Sequence, residues 1–408
     1  MGSYLKLKYV FIFYAIIRFP LHQLTGLQDS AGRIYSLLLL IILIYYLSSK
    51  KLGYKTLRSP LIYWGIWVVY VLINTIFQGT ELDMKSWQVV TYILAPLALM
   101  YFVNIRNSFY IINNIRLVSI ASFLSLLIIL FNDSFTSYSD GDRLGEIMNS
   151  NEVGIGGLLC FLFLFLLYSY KDIKLYSFIA LSIIPSYIVI MSGSRSAFLP
   201  FFFMLSSLYV INRSKNFLKT ISKLLFGVLV MIFVFIPILE QNSVIIDRLK
   251  ESKNEGENSI NTGTALDNMG SRAQYYVYGF DIFKENKLFG VGLYNYKIYN
   301  PANTQPNHVE IMIQLCELGI VGFSLFILFN FWILKHLINC WRNDVKSRKH
   351  TEAYIVSYLS VFSLYFVAYT YMNILISLFL GITIAHIIET ENRIKLGRVS
   401  KKLNSKSR

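Results

Sequence analysis

The stretch LFGVGLYNYKIYNPANTQPNHVEIMIQLCELGIVG, residues 288–322, changes character halfway along. Its first half is polar and aromatic and is broken by Gly290 and Gly292; from Val309 it turns apolar with helical spacing. A polar loop feeding an apolar helix marks a crossing from water into lipid. Asn307, Glu310, Gln314 and Glu317 recur at i, i+3, i+7 and i+10, a polar stripe down one side of that helix. A charged residue at the centre of a membrane costs about 2.5–3.5 kcal/mol on insertion scales, so the stripe must face the protein interior or water. His308 stands near the head of the stripe, and an imidazole with an ordinary pKa of about 6.5 suits a general base at neutral pH.

Upstream, residues 240–306 form a long polar loop between greasy segments. A loop of that length in a compact protein is functional or disordered, and this one carries its own helix pattern. Ser271 and Gln274 have capping-box spacing, and Tyr276, Phe280 and Phe283 at i, i+4 and i+7 give one apolar face. The pattern predicts a short amphipathic helix lying on the membrane surface. Arg272 falls in its first turn, where a positive charge opposes the helix dipole unless an anion is near.

Farther out the chain is greasy throughout. It is 55% hydrophobic, and apolar runs recur along all 408 residues. The pattern predicts an all-α polytopic membrane protein of about twelve transmembrane helices, near 5–17, 34–48, 60–77, 88–103, 115–131, 152–169, 175–191, 197–211, 223–239, 309–334, 353–370 and 373–388. Four parts follow: a nine-span bundle over 1–239, the large extracytoplasmic loop 240–306, three spans over 307–390, and a basic tail over 391–408. With the N-terminus in the cytoplasm, 26 of the 38 Lys and Arg residues fall in inside segments and five in short outside ones. That bias is the positive-inside rule, which accounts for the net charge of +15 without nucleic acid and puts both termini in the cytoplasm. The tail then touches anionic lipid. Cys160, Cys316 and Cys340 have neither metal-ligand nor disulfide spacing, and no metal motif stands on the outer face.

The orientation gathers three segments on one face: 132–151, the corner MSGSRSAF at 191–198, and the long loop. In the corner, Arg195 lies between two apolar runs, beside Gly193 and small serines that leave room for an anion. In the first segment, Arg143 and Asn151 stand just before a span.

Together these segments resemble the superfamily of O-antigen ligases and O-antigen polymerases, bacterial membrane glycosyltransferases. RLGEIMNSNEVG at 143–154 is similar to that family's arginine-glycine-asparagine loop, and MSGSRSAF to its SGSR corner. SRAQYYVYGFDIFKENKLFGVGLYNY at 271–296 is similar to its arginine-led loop helix, and NHVEIMIQLCELGIVG at 307–322 to its histidine helix. Lys287 stands where the family carries proline, and Val309 where it carries asparagine.

The resemblance implies a metal-independent glycosyltransferase without cofactor, working at the outer face of the bacterial inner (cytoplasmic) membrane. The implied donor is an oligosaccharide on undecaprenyl pyrophosphate. Arg195, Arg272 and His308 are the implied catalytic residues: the arginines hold the pyrophosphate and His308 serves the attacking hydroxyl. Arg143, Asn151, Asn307, Glu310 and Glu317 are expected to bind substrate. A polymerase of O-antigen, capsule or exopolysaccharide repeats is the leading expectation, with membrane lipids, a flippase and a chain-length regulator as partners. A ligase moving polymer to lipid A core is the alternative. A flippase or transporter ranks third, because it predicts internal repeats or mid-membrane charges that this sequence lacks.

Overall fold

A computed structural model describes residues 12–13, 16–17, 58–78, 108–131, 150–192, 194–211, 271–300, 309–368 and 373–406. Every regular element among them is a helix. In chain order these are α1 Arg58–Phe77, α2 Ser108–Phe131, α3 Ser150–Ser169, α4 Leu175–Met191, α5 Arg195–Ile211, α6 Ser271–Glu285, α7 Tyr296–Tyr299, α8 Glu310–Cys316, α9 Gly319–Asn343, α10 Arg348–Leu364 and α11 Ile374–Lys406. Among the described residues, four stretches are long and apolar enough to cross a membrane: Ile111–Phe131, Asn151–Ser169, Gly319–Asn343 and Ile374–Gly397. Ile62–Phe77, Leu175–Met191 and Ser196–Ser206 are shorter apolar helices. The expected spans 34–48, 88–103 and 223–239 lie outside the described residues.

The centre of the bundle is α3. Its residues from Leu158 to Leu167 are all buried, because a helix that is apolar on every side can only be satisfied by neighbours all round. Those neighbours are α2, α4, α5, α10 and α11. A second layer sets α9 against α1, α10 and α11. Gly157 of α3 permits the close approach of α4, since a Cβ there would stand 3.0 Å from the Pro185 carbonyl oxygen.

Hydrogen bonds define the two ends of the bundle. At one end the short turn after α3 brings Tyr170 onto His386 of α11, and His386 also meets Thr351 in the first turn of α10. We call this the Tyr170 end. Since α4 returns antiparallel to α3, and α10 runs away from Tyr170, the opposite end gathers the head of α3, the Ser192–Ser196 corner and residues 365–368. Glu310 and Ile311 join them there, their N–H groups donating to the Ala368 and Tyr365 carbonyls. We call this the Gly319 end.

Two expectations need correction. The helix expected over 309–334 is two helices, α8 and α9, interrupted at Glu317 and Leu318. The expected last span, 373–388, is the first half of α11, which continues as helix through Lys406, so most of the basic tail is helical. Lys, Arg, Leu and Ser extend a helix readily once a span has nucleated it.

Candidate active site

The interruption after α8 is closed by two turns that cap each other. Cys316 and Glu317 at the end of α8 offer carbonyls with no helical partner; the N–H groups of Val291 and Gly292 donate to them at 3.1 and 2.8 Å. In return the N–H groups of Ile320 and Val321, orphaned at the start of α9, donate to the carbonyls of Lys287 and Leu288 at 2.9 and 3.3 Å. The LFGVG and ELG motifs are thus docked backbone against backbone.

That docking explains the two glycines at its centre. Gly290 and Gly319 both have left-handed φ, 68° and 65°. A Cβ at Gly290 would come within 2.4 Å of the Glu317 carbonyl, and one at Gly319 within 2.4 Å of the Leu288 carbonyl oxygen. No side chain fits either position without moving backbone.

Glu317 completes the dock. It is buried, and its carboxylate accepts the N–H of Tyr294 at 2.9 Å and of Tyr296 at 3.3 Å. Tyr294 reaches this position with φ 67°, unusual for a residue with a side chain. The carboxylate therefore holds the loop after LFGVG in a tight bend and starts the single turn of α7.

Helix α1 clamps the dock from the side. The Tyr70 hydroxyl donates to the Leu318 carbonyl at 2.6 Å, and the Asn74 amide to the Phe289 carbonyl at 2.6 Å. The indole of Trp67 donates to Gln314, and Gln314 to Glu310. These α1 residues were not foreseen as part of the site. Their signal was present: Trp67, Tyr70 and Asn74 recur every three or four residues on a span that is otherwise apolar.

The expected polar stripe is real on α8, where Glu310 and Gln314 are buried in the protein. Glu317, with helical φ and ψ and its N–H still donating to the Ile313 carbonyl, is the last residue of the stripe, and its side chain reaches into the dock. Helix α6 packs on α8 through Tyr275, Tyr278 and Ile282, which cluster with Val291, Tyr296 and Cys316. The face expected to lie on the membrane surface is a different side of the helix. Tyr276 and Phe280 are exposed, Phe283 is half-buried, and the Tyr276 hydroxyl meets the Phe366 carbonyl. α6 therefore has two apolar sides, one packed on the protein and one turned outward.

At the Ser192–Ser196 corner, the Ser194 hydroxyl donates to the Asn151 side-chain oxygen at 3.1 Å and accepts from the Ser196 hydroxyl 2.9 Å away, which itself stands 3.5 Å from the same Asn151 oxygen. Gly154 makes this possible, because a Cβ there would stand 2.6 Å from the Ser192 hydroxyl. Arg195 is the first residue of α5, and Arg272 the second of α6. The corner, α6 and α8 thus occupy one end of the bundle, and Asn151, Glu310 and Glu317 are there with them. Arg143, Asn307 and His308 lie outside the described residues. No group of three His, Cys, Asp or Glu among the described residues could hold a metal ion.

Residues 179–327 match the family model described as O-Antigen ligase (Wzy_C). The match supports the O-antigen ligase and polymerase superfamily, whose members are membrane glycosyltransferase-like enzymes. Its limits enclose the serine corner, the long loop, α6, α8 and the docked turns. Arg143 and Asn151 fall before it, and α1 falls well before it. No curated protein matches the chain.

Proposed function

We propose that the chain is a polysaccharide repeat-unit polymerase of a bacterial inner membrane. It transfers glycan from an undecaprenyl-pyrophosphate donor to an acceptor sugar hydroxyl. The observation that carries this reading is the gathering of the serine corner, the arginine-led helix and the head of α8 at one end of the bundle, within the residues that match the O-antigen ligase family model. The positive-inside count favours that end as the outer one, where nucleotide sugars are absent and a lipid-linked donor is the available substrate.

In this reading Arg195 and Arg272 bind the pyrophosphate by charge-assisted hydrogen bonds and stabilise it as it leaves. The acceptor oxygen bonds to the anomeric carbon, the bond from that carbon to the pyrophosphate oxygen breaks, and His308 takes the hydroxyl proton. No metal or cofactor is needed, because the arginines supply the positive charge. Arg143, Asn151 and Asn307 contact substrate. Glu317, with both oxygens accepting backbone N–H groups, shapes the loop.

The ligase is the second reading, and the family match fits it equally. Both readings predict that Arg195→Ala, Arg272→Ala and His308→Ala each abolish long glycan while the protein accumulates and inserts normally. Unchanged glycan ladders in all three would sink the enzyme reading. Deleting the gene separates the two: a lost polymerase leaves single repeats on the lipid carrier, and a lost ligase strands long polymer there.

A further inference from the structure

Helix α8 is seven residues long, about 10 Å, and well short of the roughly 12–15 residues at which a helix begins to sustain itself. Its position is imposed from outside. Its head hangs from the Tyr365 and Ala368 carbonyls, and its tail is fixed by the docked turns. Its flank is fixed by a hydrogen-bonded chain that begins on another helix. Trp67 of α1 donates to the Gln314 side-chain oxygen at 3.0 Å, and the Gln314 amide nitrogen donates to a Glu310 carboxylate oxygen at 2.8 Å. All three side chains are buried.

The direction of this chain is dictated by chemistry. An indole N–H can only donate, so it must face the Gln314 oxygen. The Gln314 NH2 is then turned toward Glu310, which must accept. Trp67 itself is held by Trp64, with ring centroids 4.8 Å apart. A residue about 240 positions earlier in sequence is thus linked through two hydrogen bonds to the first residue of α8. His308 is two residues before Glu310 in the chain.

We infer that Trp67 and Gln314 are positioning residues for glycan transfer, acting through Glu310 to hold α8 in register for the reaction. The inference rests on the function proposed above.

The test is steady-state kinetics on the full chain in detergent. The probe is the lipid-pyrophosphate-linked oligosaccharide pool extracted from a host lacking this gene. Trp67→Phe and Gln314→Leu are expected to lower kcat at least tenfold per folded molecule, with the KM for that pool unchanged within twofold. The double variant is expected to be no slower than Gln314→Leu alone, because both act through one carboxylate. If Trp67→Phe does not fold, Gln314→Leu carries the test by the same kcat and KM split. A kcat within twofold of the parent in the folded variants would overturn the inference, as would independent, multiplying losses in the double variant. Should Arg272→Ala abolish transfer while Gln314→Leu does not, the positioning role alone fails. Should the parent chain transfer no glycan from this pool and Arg272→Ala change nothing in cells, the functional reading fails and takes this inference with it.

Discussion

The two ends of the bundle are fastened by different chemistry. At the Tyr170 end the ties are side chain to side chain. Thr351 donates its hydroxyl to the Ser347 carbonyl at 3.1 Å, so it accepts from His386 Nε2, 2.9 Å away. His386 Nδ1 is then the acceptor for the Tyr170 hydroxyl at 3.1 Å. The Tyr354 ring stacks on His386, and His350 stacks on Tyr170. At the Gly319 end two turns are tied backbone to backbone, with the side chains of Tyr70, Asn74 and Glu317 bonded onto that backbone, and the critical positions of the turns are those without a side chain. Ties of the first kind can be lost one at a time. A dock of the second kind has no spare room, and the candidate catalytic segments are built around it.

The largest effect expected from this contrast is on stability. Gly319→Ala forces a Cβ to within 2.4 Å of a backbone oxygen at a left-handed φ, and should cost at least about 2 kcal/mol. The measurement is the melting temperature of purified chain in detergent. Gly65→Ala is the matched control, because nothing lies within 4 Å of its Cβ position and helix propensity favours alanine. Equal melting of the two variants would remove the dock from the account. A smaller loss, about 1 kcal/mol, is expected for Thr351→Val, which removes one buried hydroxyl from the Tyr170 end. A loss as large as that of Gly319→Ala would erase the difference between the ends.

The smallest effect is one of pH, also at the Tyr170 end. Burial by itself would raise the Asp344 carboxyl, but the Ser347 hydroxyl, Arg393 and the N–H groups of Lys346 and Ser347 outweigh it and hold the group below the usual range. A depressed folded-state pKa contributes stability that is present above the unfolded value of about 3.9 and is lost as pH falls through the folded value. Asp344→Asn should therefore lower stability slightly at neutral pH and flatten its decline below about pH 4. An acid limb identical to that of the parent would show that Asp344 is not one of its sources.

Much of this contrast could be read from residue order. Periodicity placed several of the described helices within two residues of their observed starts, as with 175–191 for α4 and 197–211 for α5, but began α2 seven residues late and α10 five residues late. The stripe of Glu310 and Gln314 was legible because helical spacing fixes which side a residue faces. The break at Glu317 was not. It depends on carbonyls being met by Val291 and Gly292, about 25 residues earlier, and local pattern carries no trace of such a partner. On α1 the polar spacing of Trp67, Tyr70 and Asn74 was visible, but their partners on α8, α9 and LFGVG were not, for the same reason. On α6 the aromatic residues are so dense that periodicity picked out Tyr276 and Phe280, while Tyr275, Tyr278 and Ile282 make the packed face.

The central claim is that the docked end, and not the Tyr170 end, sets the geometry for glycan transfer. It is tested most directly by the rate of glycan transfer per folded molecule for Glu317→Gln against Thr351→Val. The amide at position 317 would keep one acceptor oxygen but turn an NH2 group against the N–H of Tyr294 or Tyr296. The account predicts at least a tenfold loss for Glu317→Gln and a rate within twofold of the parent for Thr351→Val. Equal rates in the two folded variants would contradict it.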